Sequence, residues 1–282
     1  MRQYNLILII AISCCLAACT SFSISSPTIK IMTYNIRCGV CEEPSDINHW
    51  SRRKVLVADI IQNANPDIIG LQEADAEQVQ DLVNSLQIYD SYGVGSEEGY
   101  TGSSNAILVK KSRFEIIESK TIWLSPTPNQ ISIGWDAHYN RTLTIVKLRD
   151  KANGKTINYY NSHFDNVGAV ARLQSALMLV ALIDRHLAQP TIVTGDFNGR
   201  PGFDAYAAIN QRLNDTAINA RTPHKGGQIS FNGFGNEIRE GNKLDYIFAS
   251  KNFKALSSEI ITRLYDGHYP SDHYPVLAEI SY

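Results

Sequence analysis

Short apolar runs and helical repeats of apolar residues alternate along most of this chain. Runs rich in Ile, Val, Tyr and Thr predict strands over 30–36, 67–73, 105–110, 142–148, 156–163, 191–196, 245–249 and 275–280. Three- and four-residue apolar spacing predicts helices. Val55, Val57, Ala58, Ile60 and Ile61 mark 51–64, and Val79, Leu82, Val83 and Leu86 mark 75–86. Ala169, Leu173, Ala176, Leu177, Val180, Ile183 and Leu187 mark 168–187. Interleaved elements, with 142–148 followed directly by 156–163, imply an α/β protein on mixed sheets. No linker or internal repeat divides the chain after Lys30, which implies one domain over 29–282.

The N-terminus follows a different pattern. Arg2 precedes an apolar stretch from Leu6 to Ile12, then Leu16-Ala17-Ala18-Cys19. The stretch is shorter than the roughly 20 residues that span a bilayer, and it reads as a signal segment over 1–18. Leu-Ala-Ala-Cys resembles the lipobox of bacterial lipoproteins. That resemblance implies a lipid on Cys19, a Ser/Thr-rich tether over 19–28, and attachment to a membrane of the bacterial cell envelope. Thr20 stands where an inner-membrane retention signal would place aspartate, so the expected location is the outer membrane, facing the periplasm or the cell surface.

Charge and cysteine content narrow the chemistry. With 26 basic and 28 acidic residues, the chain is not a strongly cationic, salt-driven nucleic-acid binder. A nuclease stays open, because a bound cation can supply local positive potential. The basic groups Arg52-Arg53-Lys54 and Lys110-Lys111 are explained equally well by solvated faces. Cys38 and Cys41 follow a strand and enter a loop instead of opening a helix, so a local disulfide or two inert thiols fits better than redox catalysis. Zinc would need two further ligands near them, and only His49 is at hand.

Four strings carry oxygen ligands and imidazoles: Leu71-Gln72-Glu73, Asn161-Ser162-His163, Gly195-Asp196-Phe197-Asn198 and Ser271-Asp272-His273. The first three end predicted strands. Each has an ordinary explanation alone: Glu73 as a helix-start charge, Asp196 and Asn198 as a hydrogen-bonded turn, Ser271-Asp272-His273 as a surface turn. Asn35 within Met32 to Arg37, and Asp245 within Lys243 to Ile247, extend the ordered set to six. Together with Trp123 to Pro128, Gly134-Trp135-Asp136 and His163-Phe164-Asp165, this order resembles the endonuclease/exonuclease/phosphatase superfamily of DNase I-like metallophosphoesterases, in particular its secreted bacterial members.

The resemblance implies a four-layer α/β/β/α sandwich of two packed mixed sheets, with the site at one end. It implies Glu73 as the principal ligand of Mg²⁺ or Mn²⁺, with Asn35 and Asp272 beside it, all hard oxygen donors suited to those ions. Asp196 would orient or deprotonate the attacking water, and Asn198 would hold that water or a phosphate oxygen. Asp245 would hold His273 in one tautomer facing the phosphoryl group, and His163 would add a second hydrogen bond. Arg141 reads as a substrate phosphate clamp or, equally, as a strand-surface charge. The chain departs from the pattern in two places: Ser103 and Ser104 stand where relatives carry an acid supporting the first histidine, and Asn166 stands where a histidine is common.

The expected function is a divalent-metal-dependent hydrolase of phosphoester bonds, acting as a monomer on a small molecule, a lipid head group or nucleic acid. The alternatives are a secreted endonuclease acting on DNA or RNA, and a non-catalytic binding lipoprotein that keeps the fold.

Overall fold

In a computed structural model that describes residues 27–282, the elements follow the chain as β1 (Thr28–Asn35), α1 (Trp50–Ala64), β2 (Ile68–Gln72), α2 (Ala76–Ser85), β3 (Tyr89–Tyr92), β4 (Ile107–Lys110), β5 (Phe114–Trp123), β6 (Thr142–Asp150), β7 (Thr156–His163), α3 (Ala169–Asp184), β8 (Thr191–Asp196), α4 (Asp204–Asn210), β9 (Asn214–Asp215), α5 (Thr216–Asn219), β10 (Asp245–Ala249), β11 (Lys254–Ile260) and β12 (Val276–Ser281). The expected signal segment, the expected lipid site at Cys19 and the expected tether up to residue 26 lie outside the described residues.

Two six-stranded mixed sheets form, in the orders β11-β12-β1-β2-β4-β3 and β5-β6-β7-β8-β10-β9. Ile31, Ile68 and Val109 of the first sheet pack against Val146, Ile157 and Ile192 of the second. The outer face of the first sheet (Met32, Tyr34, Ile69) is covered by Val57, Ile60 and Ile61 of α1 and Leu82 of α2. That of the second (Leu143, Tyr160, Val193) is covered by Ala176, Leu179 and Ile183 of α3. Helix, sheet, sheet and helix make four layers, because each strand carries one apolar face inward and another outward.

Period-two alternation also explains why one end of the sandwich is chemically different. The inward face of β1 runs Ile29, Ile31, Thr33, Asn35; that of β7 runs Ile157, Tyr159, Asn161, His163; that of β8 runs Ile192, Thr194, Asp196. Each strand changes from hydrocarbon to polar toward the same end of the sandwich. Beneath the site, a buried polar layer links the sheets. Gln72 donates through Nε2 to Thr33 Oγ1 at 3.0 Å and to Asn161 Oδ1 at 2.7 Å, and Thr194 Oγ1 donates to Asn161 Oδ1 at 3.0 Å. Asn161 Nδ2 in turn donates to Leu71 O at 2.7 Å. Gly70 lets the sheets approach here, since a Cβ at that position would collide with Thr194 and Asn161.

The predicted interior elements form within one or two residues of expectation at most boundaries; α3 is shorter, stopping at Asp184 because the apolar repeat thins into Arg185 and His186. β3, β5, β9 and β11 were not expected from the apolar pattern, and neither were α4 and α5. Arg53 also differs from a solvated basic face. It is 2% exposed, paired with Glu42 at 2.5 Å, and donates to the carbonyls of Ile36 and Pro270 at 2.8 and 2.9 Å. It thereby ties the loop after β1 to the segment that carries Asp272 and His273.

Candidate active site

The register of the second sheet builds the centre of the site. On β8, Asp196 pairs with His163 of β7 on one side and with Asp245 of β10 on the other. Two carboxylates directly opposite each other repel, and His273, on the segment leading into β12, offsets that repulsion. Its Nδ1 lies 2.9 Å from Asp245 Oδ2 and its Nε2 lies 3.7 Å from Asp196 Oδ2. Burial alone would lower the His273 pKa, but Asp245, then Asp196 and Asp272, outweigh it and push the value up to about 10. His273 is therefore an imidazolium at neutral pH. Burial, and then the Asp245 charge, push the Asp196 carboxyl above the usual range, so this group accepts a proton more readily than an ordinary aspartate.

His163 has the same burial, 6% exposed like His273, but a different partner. Its Nδ1 lies 3.0 Å from Arg141 Nη1. A guanidinium only donates, so Nδ1 accepts and the ring proton sits on Nε2, 3.4 Å from Asp196 Oδ2. Burial, then Arg141 and His273, hold its pKa well below the usual value, which keeps the ring neutral. The supporting acid absent at Ser103 and Ser104 is thus replaced by a cation. Ser104 instead donates to Ala74 O at 2.7 Å. Arg141 is itself anchored, with Nε on Asp165 Oδ2 at 3.3 Å and Nη2 on Asn166 Oδ1 at 3.2 Å.

The first sheet supplies the remaining groups. Asn35 Nδ2 donates to Glu73 Oε1 at 3.0 Å and to Asp196 Oδ2 at 3.1 Å, bridging the two sheets. Its Oδ1 accepts from Arg37 N at 3.0 Å. Glu73 Oε2 accepts from Cys38 N at 3.1 Å. Glu73 and Asn198 both adopt left-handed backbone, φ 60° and 45°, a strain of the kind that collects where a side chain must be aimed. Asn198 Nδ2 reaches Phe164 O and His163 Nε2, each at 2.9 Å. Burial raises the Asp272 pKa and Glu73 adds to that rise, although His273 opposes it. Glu73 and Asp272 line the same cleft as like charges.

All six motif regions meet at one cleft of about 560 Å³, lined by Glu73, Arg141, His163, Asp196, Asn198, Asp272 and His273 among others. Asn35 and Asp245 lie just beneath it, both buried. Sequence reasoning gave no site role to five contributors, although it favoured a local disulfide or two inert thiols for the cysteine pair among them. Phe231 sits against the His273 ring, with centroids 4.9 Å apart. Asp165 orients Arg141. The Cys38–Cys41 disulfide lines the cleft beside Glu73. Glu97 and Asn140 form part of its rim. Asp165, adjacent to the His-Phe pair, and the Cys-x-x-Cys spacing carried usable sequence signals.

Asp196, Asp245 and His273 place one ligand atom each within 4.8 Å of one another, but a protonated His273 has no lone pair to give a metal, so the residues that suit an ion lie beside this group. Glu73 and Asp272 bring two hard carboxylates into one cleft without a cationic side chain between them in direct hydrogen-bonding contact, an imbalance that a divalent cation would relieve.

Comparisons with known proteins identify the family and the fold. The endonuclease/exonuclease/phosphatase from Bacteroides vulgatus has 35% sequence identity and a TM-score of 0.85, covering 91% of this chain and 99% of that one. A mannosyl-6-phosphatase of Bacteroides thetaiotaomicron has 28% identity and a TM-score of 0.83, covering 90% and 100%. Nocturnin of Rattus norvegicus is 26% identical, over 93% of this chain and 68% of its own length. The family model described as Endonuclease/Exonuclease/phosphatase family matches residues 32–273, and the chain belongs to that family.

Proposed function

We propose that this protein is a divalent-metal-dependent hydrolase of phosphoesters held at the bacterial cell envelope. The observation that carries the reading is the convergence on Asp196. One carboxylate is reached by a cationic imidazole, by a neutral imidazole donor and by the Asn35 amide, all at the floor of an open cleft. Asp196 is suited to orient the attacking water and accept its proton. His273 offers a charged Nε2–H donor to a phosphoryl oxygen, and its second proton is held by Asp245. His163 Nε2–H and the Asn198 amide stand 2.9 Å apart as two donors that cannot satisfy each other; Asn198 Nδ2 already donates to Phe164 O, which leaves the His163 Nε2–H for a phosphate oxygen. Charge that builds on the phosphoryl oxygens in the transition state thus meets donors already in place.

Glu73 and Asp272 are the groups that would hold Mg²⁺ or Mn²⁺; Asn35, expected beside them as a ligand, instead turns its Nδ2 toward Glu73 and Asp196 and so positions those carboxylates. The ion's contribution when bound is positive charge for the phosphoryl and leaving oxygens. The mannosyl-6-phosphatase relative supports phosphoester hydrolysis as the reaction class. The lipobox-like start supports anchoring through a lipid on Cys19, which mass spectrometry of the mature N-terminus tests. For the reaction itself, the full-length chain is assayed on aryl phosphate, sugar phosphate, phosphodiester and oligonucleotide with Mg²⁺, Mn²⁺, Ca²⁺ or chelator. Turnover that needs the cation and disappears in Asp196→Ala is expected. Turnover that survives the chelator, or none on any phosphoester, overturns the reading.

A further inference from the structure

The cleft continues outward from the reacting centre past Arg141 to a polar rim that the proposed chemistry does not use. Glu97 sits there in a loop folded back on itself: Ser96 N donates to Ser103 O at 3.1 Å, Glu97 N donates to Thr101 O at 3.0 Å, and Trp123 Nε1 donates to Ser96 O at 2.8 Å. The Glu97 carboxylate is held at both oxygens. Ser96 Oγ donates to Oε1 at 3.2 Å, and Asn140 Nδ2 donates to Oε2 at 2.8 Å. Gly102 makes room for this arrangement, since a Cβ there would come within 2.6 Å of Glu97 Cγ. Asn140 Oδ1 is shielded from solvent and has no partner. Asn140 and Tyr139 directly precede Arg141, whose guanidinium carbon lies 5.3 Å from the Tyr139 ring centre. The rim is therefore coupled through three consecutive residues to the group that sets the His163 tautomer.

The chemistry of this rim is specific. A carboxylate and an amide oxygen accept hydrogen bonds, whereas phosphate oxygens need donors. Among the residues lining the cleft, the carboxylates are Glu73, Glu97, Asp196 and Asp272, and the permanent cation is Arg141. A nucleic-acid strand needs a basic track beyond the scissile bond, and Glu97 would repel the next phosphate. Hydroxyl groups, by contrast, donate to the Glu97 carboxylate, which Asn140 holds in place, and the half-exposed Tyr139 ring offers an apolar face to a sugar ring.

Resting on the phosphoesterase reading, we infer that Glu97, Asn140 and Tyr139 form a hydroxyl-recognising subsite that selects the phosphate ester of a neutral polyhydroxylated body, a sugar phosphate, over a polyanion. The test compares kcat/KM of the full-length chain with Mg²⁺ on a hexose 6-phosphate, on the corresponding hexose 1,6-bisphosphate and on an aryl phosphate that has no hydroxyls. The wild-type protein should prefer the hexose 6-phosphate over both. Glu97→Gln and Asn140→Ala should each lower the ratio of hexose phosphate to aryl phosphate by about tenfold to a hundredfold, mainly through KM, as expected for a lost charge-assisted hydrogen bond. Glu97→Lys should raise the bisphosphate relative to the monophosphate. Equal loss on hexose and aryl substrates, or a wild-type protein that prefers the bisphosphate or an oligonucleotide, overturns the subsite. A wild-type protein that hydrolyses none of these substrates overturns the hydrolase reading instead, so the two failures are distinct.

Discussion

Two histidines approach the same carboxylate from opposite sheets, equally buried, and carry different charge states. His273 is surrounded by Asp245, Asp196 and Asp272 and is cationic, while His163 abuts Arg141 and is neutral. Desolvation lowers the pKa of both rings, so burial does not distinguish them; the sign of the neighbouring charge does. A phosphoryl group entering between them would meet one strong charged donor and one neutral donor whose proton is directed by a guanidinium. The site obtains this asymmetry without any difference in residue type.

Removing the group that both rings face tests the comparison most severely. Asp196→Ala should lower kcat by about 10²–10⁴-fold, the usual contribution of a positioned base; steady-state turnover under saturating substrate measures it, and near-wild-type turnover would rule out its role. Next come the rings themselves. His273→Gln should cost about 10²–10³-fold in kcat and His163→Gln about tenfold to a hundredfold, because a charged donor stabilises developing charge roughly twice as well as a neutral one. Equal losses would erase the distinction.

Arg141→Met should cost less again, on the order of tenfold in kcat. Burial, the larger cause of the lowered His163 pKa, persists in that variant, and only the Arg141 contribution is lost. Nitrogen chemical shifts should show the His163 pKa moving upward and the Nε2–H tautomer losing its dominance; an unchanged tautomer would mean that Arg141 does not set it.

The smallest effect concerns stability. The folded-state pKa of His273 lies above its unfolded value of about 6.5, so its stabilisation is fully present below that pH and is lost as pH rises through about 10. In chelator, the wild-type melting temperature should therefore fall across this window, and Asp245→Asn should flatten the fall. A parallel decline in the variant would assign the slope to other groups.

A second contrast explains what could be read in advance. The eight predicted strands are the eight interior strands of the two sheets, and β3, β5, β9 and β11, the four that were missed, are the four edges. An interior strand buries both faces and needs continuous or alternating apolar residues. An edge strand pairs on one side only and tolerates charge there. β5 exposes Glu115, Glu118, Ser119 and Lys120, and β11 carries Lys254, Ser257, Ser258 and Glu259. Their pairing is imposed by a neighbour that local sequence does not contain.

Residue identity and order along the chain determined the family, the interior strands, and the candidate set Asn35, Glu73, His163, Asp196, Asn198, Asp245, Asp272 and His273, which meets at and beneath one cleft. Each of these sits at a strand end or in a short motif, where alternation and adjacency are local properties. Tertiary structure decided which charge stands beside which ring. Arg141 and His163 are 22 positions apart, Asp245 and His273 are 28 apart, and Asn35 reaches Asp196 across 161. Protonation depends on such through-space neighbours at 3–4 Å, and strand register and sheet packing, not the spacing of residues along the chain, bring them together.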